Sequence, residues 1–511
     1  MVIYMVEPFV PEGEIFEGIF RQNEGIPEFA TYVNGEWVFT GKTAEVRSPI
    51  DGSLIARVSL SDMALSNRAV AAAYSAGRHE IRDTPGEKRL EAFLKVAELI
   101  RDSFDDFVTA LVLDAGKPLS NARGEVTATI ERLEKTTMEF GRLIGDYIPG
   151  DWSAESLGSE GIVKREPYGV VLAISPYNYP LFISTAKIVP ALLAGNAVLL
   201  KPSSQDPLAP LLLSRVLQLA GIPESAYHLL TVPGALMDSI LADRRIRAVT
   251  FTGSTEVGEH ILSMGGIKFY HMELGGKDPA VVLDDAPLEE TVEKLVKGMV
   301  SYSGQRCDAI RLIIAEEGIY EQLKRELVAA LSKIEPENPL EDEDAIMGPL
   351  INERSAEKIE EVYRDALEKG AVPLTGFKRK GAYVWPVLLE ASREVLPGLR
   401  AFQEDVFGPL TILVKVSNED EAVELANSSR FGLDAAVFSG DDSRARKVAR
   451  RLEVGAVFIN EFPRHGIGYY PFGGMKDSGI GREGIGYSIE TLTTTKTIVR
   501  NYRGRGVWDY I

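Results

Sequence analysis

The stretch Val170-Val-Leu-Ala-Ile174, the apolar segment at 181–194 and the run Ala197-Val-Leu-Leu200 together decide the fold class. The two short runs contain no polar side chain, which is typical of strands buried on both faces of a sheet. The longer segment between them has the length of a crossover helix. The alternation continues downstream, with a helix at Leu208–Leu219, a strand at His228–Val232, a helix at Ala235–Leu241 and a strand at Ala248–Thr252. Alternating helices and buried strands predict parallel βαβ units in a doubly wound sheet.

A second α/β region is predicted from about Gly275 to Glu490. Its apolar runs predict strands at Ala280–Leu283, Leu312–Ala315, Leu410–Val416, Ala435–Phe438 and Ala456–Ile459. Near the start of the chain, Asn34-Gly35 joins two β-rich runs in a hairpin, and residues 61–140 have the apolar spacing of helices. The fold class is therefore α/β, with two doubly wound parallel sheets.

Two segments outside these regions, at 142–168 and 494–502, have the composition of extended strands. The tail at 494–502 could pair with the arms at 142–168, and neither segment has another obvious partner in the chain. Unpaired strand edges attract other chains. We therefore expect a homo-oligomer, a dimer or a tetramer, built through these segments.

Composition limits the classes of function. The chain of 511 residues has a net charge of −19, which argues against a nucleic-acid partner because such proteins usually present a basic face. Its single cysteine excludes an intramolecular disulfide and fits a reducing cytoplasm. No apolar stretch reaches the roughly 18 residues of a membrane span, and the first residues lack the pattern of a signal peptide. The five histidines include no ligand-like pair, so we expect no metal.

The single cysteine, Cys307, is a candidate nucleophile. It follows Arg306, whose charge would favour the reactive thiolate, and small residues upstream would let a substrate approach. The alternative is a buried cysteine that acts as a small hydrophobic residue. The rest of the chain has to decide between the two interpretations.

Seven short motifs follow one another along the chain. They are Ser175-Pro-Tyr-Asn-Tyr-Pro180, Leu200-Lys-Pro-Ser203, Phe251-Thr-Gly-Ser-Thr-Glu-Val-Gly258, Met272-Glu-Leu-Gly-Gly-Lys277, Gly304-Gln-Arg-Cys307, Asp405-Val-Phe-Gly-Pro409 and Pro471-Phe-Gly-Gly474. Together, and in this order, they resemble the aldehyde dehydrogenase superfamily over roughly residues 30–500. The Gly304–Cys307 turn and the segment Pro463-Arg-His-Gly-Ile-Gly-Tyr-Tyr-Pro-Phe472 are most similar to non-phosphorylating glyceraldehyde-3-phosphate dehydrogenases, archaeal members in particular.

The resemblance implies a catalytic apparatus. Cys307 would add to an aldehyde to give a thiohemiacetal, with Asn178 and the backbone N–H of Cys307 as donors to the alkoxide. Glu273 would then activate the water that hydrolyses the thioester; apolar neighbours would raise its pKa, and Gly275-Gly276 would let its backbone move. Each catalytic role has a structural alternative. Asn178 could be a residue of a tight turn, and Glu273 could be the end of a strand that faces water.

The resemblance also implies a dinucleotide site. Its cofactor-binding residues would be Ser175, Pro176, Tyr177, Lys201, Ser203, Ser204, Phe251, Gly253, Ser254, Val257, Leu274, Asp405 and Phe407. NAD-preferring relatives often carry a glutamate at the position of Ser204, so the serine favours NADP, with NAD possible. Asp405 replaces the family's glutamate with a shorter side chain, which puts its contact with the nicotinamide ribose in doubt.

The substrate implied by the closest resemblance is D-glyceraldehyde 3-phosphate, oxidised to 3-phosphoglycerate in glycolysis without phosphorylation. Arg306 and Arg464 would converge on the phosphate, with Tyr179 and His465 nearby. Bacterial relatives bind the phosphate through an arginine at the position of Ala128; Arg132, one helical turn later, either replaces it or is exposed. A semialdehyde or general aldehyde dehydrogenase is the rival enzyme, and a silent family member acting as a binding protein is the rival from another class.

The resemblance further implies a division of the chain into domains. A dinucleotide-binding domain would comprise residues 1–145 and 165–273, and a catalytic domain residues 274–490. An oligomerisation arm and tail would comprise residues 146–164 and 491–511.

Overall fold

The computed structural model describes residues 6–502, and two large sheets organise them. Residues 1–5 of the expected dinucleotide-binding domain and residues 503–511 of the expected oligomerisation tail lie outside this range. The N-terminal strands are β1 (Phe20–Asn23), β2 (Ile26–Phe29), β3 (Thr31–Val33), β4 (Glu36–Val38), β5 (Thr43–Arg47) and β6 (Leu54–Ser59). The helices that follow are α1 (Met63–Ala72), α2 (Arg78–Asp83), α3 (Gly86–Asp102), α4 (Phe104–Ala115) and α5 (Leu119–Glu134). Asn34 and Gly35 have φ of 51° and 82° between β3 and β4, so the predicted hairpin is confirmed.

The first large sheet contains the strands predicted from the opening stretch. Its elements are β9 (Val170–Ile174), α6 (Pro180–Leu193), β10 (Ala197–Lys201), α7 (Leu208–Leu219), β11 (Tyr227–Leu229), α8 (Met237–Leu241), β12 (Ala248–Thr252), α9 (Thr255–Gly265) and β13 (Phe269–Glu273), and they follow the arm strands β7 (Asp146–Pro149) and β8 (Ser159–Pro167). β11 begins and ends earlier than predicted, and α8 is shorter, because Pro233 starts a 3₁₀ turn at Gly234–Leu236. All residues of β9 are buried, as expected for a strand covered on both faces.

The second large sheet lies in the C-terminal half. Its region contains β14 (Pro279–Val282), α10 (Leu288–Val300), β15 (Leu312–Glu316), α11 (Glu317–Leu331), α12 (Glu353–Glu368), β16 (Val372–Pro373), β17 (Arg379–Lys380), β18 (Tyr383–Val384), β19 (Val387–Glu390), α13 (Arg400–Gln403), β20 (Leu410–Val416), α14 (Glu419–Asn427), β21 (Phe431–Gly432), β22 (Asp434–Phe438), α15 (Asp442–Ala449), β23 (Ala456–Ile459), β24 (Met475–Lys476), β25 (Gly479–Ile480), α16 (Tyr487–Thr491) and β26 (Thr493–Asn501).

The strand orders confirm the doubly wound α/β class. The first sheet runs β25-β13-β12-β9-β10-β11-β3-β4, with parallel pairing from β13 to β11. The second runs β16-β19-β20-β15-β14-β22-β23 and is parallel from β19 to β23. β25 lies in the expected catalytic segment but pairs with β13 of the first sheet, so the division into domains stays a prediction.

The arm and the tail form a third, antiparallel sheet in the order β26-β8-β7. β26 pairs with β8 along its whole length, from Thr493 opposite Pro167 to Asn501 opposite Ser159. This pairing confirms that the two segments are partners. Apolar side chains remain exposed on and beside this sheet, among them Tyr147, Trp152 and Val499.

Candidate active site

Cys307 follows a strained turn at the end of α10. Tyr302, Ser303 and Gly304 have consecutive positive φ values of 49°, 55° and 69°. The left-handed conformation costs a non-glycine residue about 1–2 kcal/mol, so the surrounding structure must hold the turn. The Ser303 hydroxyl donates to the carbonyl of Gly348 at 2.8 Å and accepts from its N–H at 3.1 Å.

Arg311 fixes the residues on either side of the nucleophile. Its buried guanidinium donates to the carbonyls of Gly304, Arg306 and Ala309 at 3.1, 2.6 and 3.1 Å. It thereby satisfies carbonyl groups that a tight turn leaves without partners. The sequence analysis missed this residue, because an arginine before an apolar strand carries no local signal of such a role.

A cavity of about 580 Å³ opens in front of Cys307. Its wall comes from α5, from α6 and the residue before it, from the nucleophile turn, and from the segment at 463–472. The predicted substrate residues that line it are Arg132, Tyr179, Arg306, Arg464 and His465. The wall also includes Glu125, Asp308 and Glu483, which the sequence analysis did not single out.

Arg306 does not make Cys307 a thiolate in this structure. Burial raises the pKa of the thiol well above its ordinary value, and the charges of Asp308, Asp278 and Asp434 raise it further. Arg306 lowers this pKa but is itself bound, to the Asp308 carboxylate at 2.9 Å and to the Pro463 carbonyl at 2.7 Å. In this structure burial and the three carboxylates therefore outweigh the lowering of the Cys307 pKa that was expected from Arg306.

Glu273 ends β13 in a buried niche, so it is not the water-facing strand end that was its alternative. Its side chain is 1% exposed; Oε1 lies 2.9 Å from His271 Nε2, and Oε2 has no hydrogen-bond partner within residues 6–502. Burial and the nearby charge of Glu483 raise the pKa of this carboxyl well above its ordinary value, as the sequence analysis expected. A raised pKa suits a general base.

The glycines after Glu273 serve close packing. A Cβ on Gly275 would lie 2.8 Å from Asp405 Oδ2, and one on Gly276 would lie 2.6 Å from the Cys307 carbonyl oxygen. Larger residues would push these groups apart. The glycines thus bring the base strand, the nucleophile and Asp405 together, and the expectation that they let the backbone of Glu273 move stays a prediction.

Asn178 lies buried before α6. Its Nδ2 donates to the Gln305 carbonyl at 3.2 Å, which leaves the second N–H of the amide for another acceptor. The backbone carbonyl of Asn178 accepts from Lys117 Nζ at 2.7 Å. Lys117 is paired with Glu125, and both side chains are fully buried. Lys117, which was not singled out from the sequence, is thus the anchor of Asn178.

The arginines are arranged differently from the expectation. Arg306 is paired as described, and Arg464 is 62% exposed and bound to Glu461 at 2.9 Å, so the two do not converge as free guanidinium groups. Arg132, expected to be exposed or to replace the bacterial arginine, is 2% exposed and paired with Glu139 at 2.5 Å. Its Nη1 is buried without a partner in the part of the chain that the structure describes.

His465 is held in the cavity wall by Asp434. Its Nε2 lies 2.7 Å from Asp434 Oδ2, and its ring packs edge to face against Phe458 and Phe472. Burial alone would lower the pKa of His465, but the bond to Asp434 outweighs burial and raises it. An imidazolium paired with the Asp434 carboxylate has no net charge, so the pair fixes the ring in the cavity wall and adds no net positive charge there.

The predicted cofactor residues collect at the carboxyl ends of four neighbouring parallel strands. Ser175 to Tyr177 follow β9, Lys201 to Ser204 end β10, Phe251 to Ser254 end β12, and Leu274 follows β13. Ser254 caps α9 through the N–H of Val257, and a helix start of this kind attracts phosphate. Open α/β sheets bind their ligands at this edge.

Three observations fit a dinucleotide at this edge. The Lys201 ammonium is largely buried, and burial lowers its pKa, yet it forms no ion pair with any described residue. Asp405 lies against Gly275 with Oδ1 buried and without a hydrogen-bond partner in residues 6–502. The rings of Tyr177 and Phe407 meet edge to face at 5.8 Å. Asp405 Oδ1 also lies 3.6 Å from Arg311 Nε, and its contact with the nicotinamide ribose stays a prediction.

Comparison with known proteins agrees with this geometry. The model of the aldehyde dehydrogenase family matches residues 37–498. The chain belongs to the aldehyde dehydrogenase family. Its relatives include the NADP-dependent glyceraldehyde-3-phosphate dehydrogenase of Streptococcus equinus, 35% identical over 92% of this chain and 98% of the relative. The 3-sulfolactaldehyde dehydrogenase of Priestia aryabhattai is 33% identical over 93% of this chain and 98% of the relative.

A solved structure shows the same fold. Aldehyde dehydrogenase 21 from Physcomitrella patens, in complex with the reaction product succinate, superposes with a TM-score of 0.88 at 33% identity. The match covers 93% of this chain and 99% of the other. The protein is thus an aldehyde dehydrogenase by fold and by sequence, and its substrate has to be inferred from the cavity.

Proposed function

We propose that this aldehyde dehydrogenase oxidises D-glyceraldehyde 3-phosphate to 3-phosphoglycerate, without phosphorylation. Arg132 carries the proposal: its Nη1 is a buried donor with no partner within residues 6–502, on the wall of the cavity that also contains Cys307. A guanidinium group suits a phosphate because it offers several fixed N–H donors. The two relatives are named for aldehydes that carry a phosphate or a sulfonate, which supports an anionic substrate.

The proposed chemistry begins with a thiol and ends with one. Cys307 gives its proton to solvent in the cavity that it lines and adds to the aldehyde carbon, while Asn178 Nδ2 and the Cys307 backbone N–H stabilise the alkoxide. A nicotinamide dinucleotide held by Lys201, Ser254 and Asp405 would supply the hydride acceptor. Loss of hydride from the alkoxide leaves a thioester on Cys307. Glu273 then takes a proton from the water that attacks the thioester and passes it to the departing sulfur, so the acid leaves and Cys307 is a thiol again.

NADP is the proposed cofactor, and NAD is the alternative. Lys201 would attract a 2′-phosphate, and Ser204 would not repel one. The Streptococcus equinus relative is named as NADP-dependent. Initial rates with each cofactor at equal concentration test this choice, and a higher kcat/KM for NAD would reverse it.

A semialdehyde is the second candidate substrate. The Physcomitrella patens structure contains succinate as its reaction product, and a guanidinium group pairs with a carboxylate as well as with a phosphate. Initial rates with a panel of aldehydes, without added phosphate, decide between the two substrates. The absorbance of the reduced cofactor gives each rate. We expect D-glyceraldehyde 3-phosphate to have the highest kcat/KM. A higher kcat/KM for succinic semialdehyde would show that the cavity selects a carboxylate. An equal kcat/KM for unphosphorylated glyceraldehyde would contradict a site for the anionic group.

The assembly and location are part of the proposal. The sheet of β7, β8 and β26 exposes apolar residues such as Trp152 and Val499, and exposed apolar patches next to strand edges favour association. We propose a homodimer or homotetramer in the cytoplasm, which one unpaired cysteine fits. Light scattering that gives the 56.0 kDa of one chain would contradict the assembly.

A further inference from the structure

His271 contacts the proposed base directly, although neither the family motifs nor the sequence analysis single it out. It lies two residues before Glu273 on β13, so the two side chains share one face of the strand. The His271 Nε2 and Glu273 Oε1 atoms are 2.9 Å apart, and both side chains are almost completely buried. Nothing in residues 6–502 bonds the other carboxylate oxygen, Oε2.

The neighbouring strand determines which nitrogen of His271 carries the proton. Thr250 lies opposite His271 in the pairing of β12 with β13, with its hydroxyl 3.0 Å from Nδ1. Lys187 Nζ lies 3.3 Å from the same hydroxyl and, as an ammonium group, only donates. The hydroxyl oxygen accepts from Lys187, and among the bonds of residues 6–502 its own proton has no acceptor other than Nδ1. Because a buried proton without an acceptor is costly, the hydroxyl directs it at Nδ1, which leaves the imidazole proton on Nε2.

We propose that His271 is a positioning residue for the base, held by Lys187 and Thr250 in the tautomer that donates Nε2–H to Glu273. The donated bond fixes one carboxylate oxygen and leaves Oε2 free to take the proton from water. It also stabilises the ionised carboxylate in a niche that otherwise disfavours charge. This inference rests on the proposed role of Glu273.

The charges around the pair are consistent with a neutral imidazole. Burial, with Lys187 and Arg482 nearby, lowers the pKa of His271 well below its ordinary value. Glu273 is affected from several elements: burial, Glu483 and Asp434 raise its pKa, and Lys187 and Arg482 lower it. A hydrogen bond from a neutral imidazole is a separate contribution, which acts to lower the pKa of Glu273.

The test follows the second half-reaction in isolation. The ester 4-nitrophenyl acetate acylates a reactive thiol without any cofactor, so the burst of nitrophenolate reports acylation and the steady state reports hydrolysis of the acyl-enzyme. His271→Leu removes the donor, whereas His271→Gln keeps an N–H at a similar distance from the backbone. Both are compared with the parent protein between pH 6 and pH 10.

We expect His271→Leu to move the acidic limb of the steady-state profile upward by about one to two pH units, since a hydrogen bond to a charged group changes an equilibrium about 10- to 150-fold. His271→Gln should restore most of the parental profile, and the burst amplitude should not change. An unshifted limb in His271→Leu would overturn the proposal. A merely structural role would lower the rate at every pH instead.

Thr250 supplies a second, milder test that does not depend on the folding of His271→Leu. Thr250→Val removes the hydroxyl that sets the tautomer, and Thr250→Ser keeps it. We expect the acidic limb of the pH profile to shift upward in Thr250→Val, by less than in His271→Leu, and not to shift in Thr250→Ser. Equal profiles for the two Thr250 variants would contradict the proposed tautomer. Glu273→Gln separates a failure of the proposed base from a failure of the proposed role of His271. If this variant hydrolyses the acyl-enzyme at the parental rate, the assignment of Glu273 as the base fails. If it does not, the His271 variants alone decide the role of His271.

Discussion

Replacing Arg132 by lysine tests whether the cavity selects an anionic aldehyde. The lysine keeps a positive charge for Glu139, which is completely buried and lies 2.5 Å from the guanidinium in the structure. Complete removal of the charge would leave a buried carboxylate unpaired, at a cost of about 3–5 kcal/mol, and would confuse folding with binding. Lysine keeps one positive charge but replaces the planar guanidinium by an ammonium group, and with it removes the Nη1 donor that has no partner among the described residues.

The magnitude follows from the lost contact. A hydrogen bond to a charged group is worth about 1.5–3 kcal/mol, so kcat/KM for D-glyceraldehyde 3-phosphate should fall about 10- to 150-fold. Unphosphorylated glyceraldehyde lacks the partner and should be affected much less. Arg464→Lys is the matched control, because the exposed pair of Arg464 with Glu461 is worth at most about 1 kcal/mol, or roughly five-fold.

Initial rates with both aldehydes, for the parent and both variants, are the assay, with melting temperatures to confirm folding. Equal losses for the two aldehydes in Arg132→Lys would show that the residue has a structural role. A larger effect at Arg464 than at Arg132 would refute the argument that pairing and exposure decide which arginine binds the substrate.

Three further predictions concern the nucleophile, the cofactor and a buried acid pair. Cys307→Ala should abolish aldehyde oxidation but keep cofactor binding, measured by cofactor fluorescence; retained turnover would exclude Cys307 as the nucleophile. Ser204→Glu should lower kcat/KM for NADP much more than for NAD, because the new carboxylate would repel a 2′-phosphate; an unchanged ratio would place that phosphate elsewhere. Burial raises the pKa of Asp114 to about 7 next to Asp206, whose pKa burial also raises. The folded state therefore binds the proton more tightly than the unfolded state, and stability falls as the pH rises from about 4 to about 7. Asp206→Asn should raise the melting temperature more at pH 8 than at pH 5, and an equal change at both pH values would contradict this.

Much of the fold could be predicted because the central strands are buried on both faces. Such strands show as short apolar runs, and the sequence located β9, β12 and β20 within a residue. The small sheet of β1, β2, β5 and β6 was missed, since its short strands are partly exposed and mix polar with apolar residues. A local apolar pattern therefore identifies strands that are buried along their whole length, and it does not identify strands that are partly exposed.

The site could be predicted only as far as its motifs extend. Cys307, Glu273 and Asn178 lie in local signatures, but their partners come from distant parts of the chain. Arg132 shows the limit: its helical position suggested an exposed side chain, whereas packing of the turn that carries Glu139 buries it. The pairing of Arg306 with Asp308 involves residues two apart, yet only the folded turn brings the two side chains together.

The measurement that tests the central claim most directly is a rapid-mixing experiment on Glu273→Gln with NADP and D-glyceraldehyde 3-phosphate. The account assigns the nucleophile and the base to different residues, so the first half-reaction should survive without the carboxylate and the second should not. It predicts a burst of reduced cofactor stoichiometric with the active sites, followed by very slow turnover. Steady turnover at the parental rate would contradict the account, because the thioester would then be hydrolysed without Glu273.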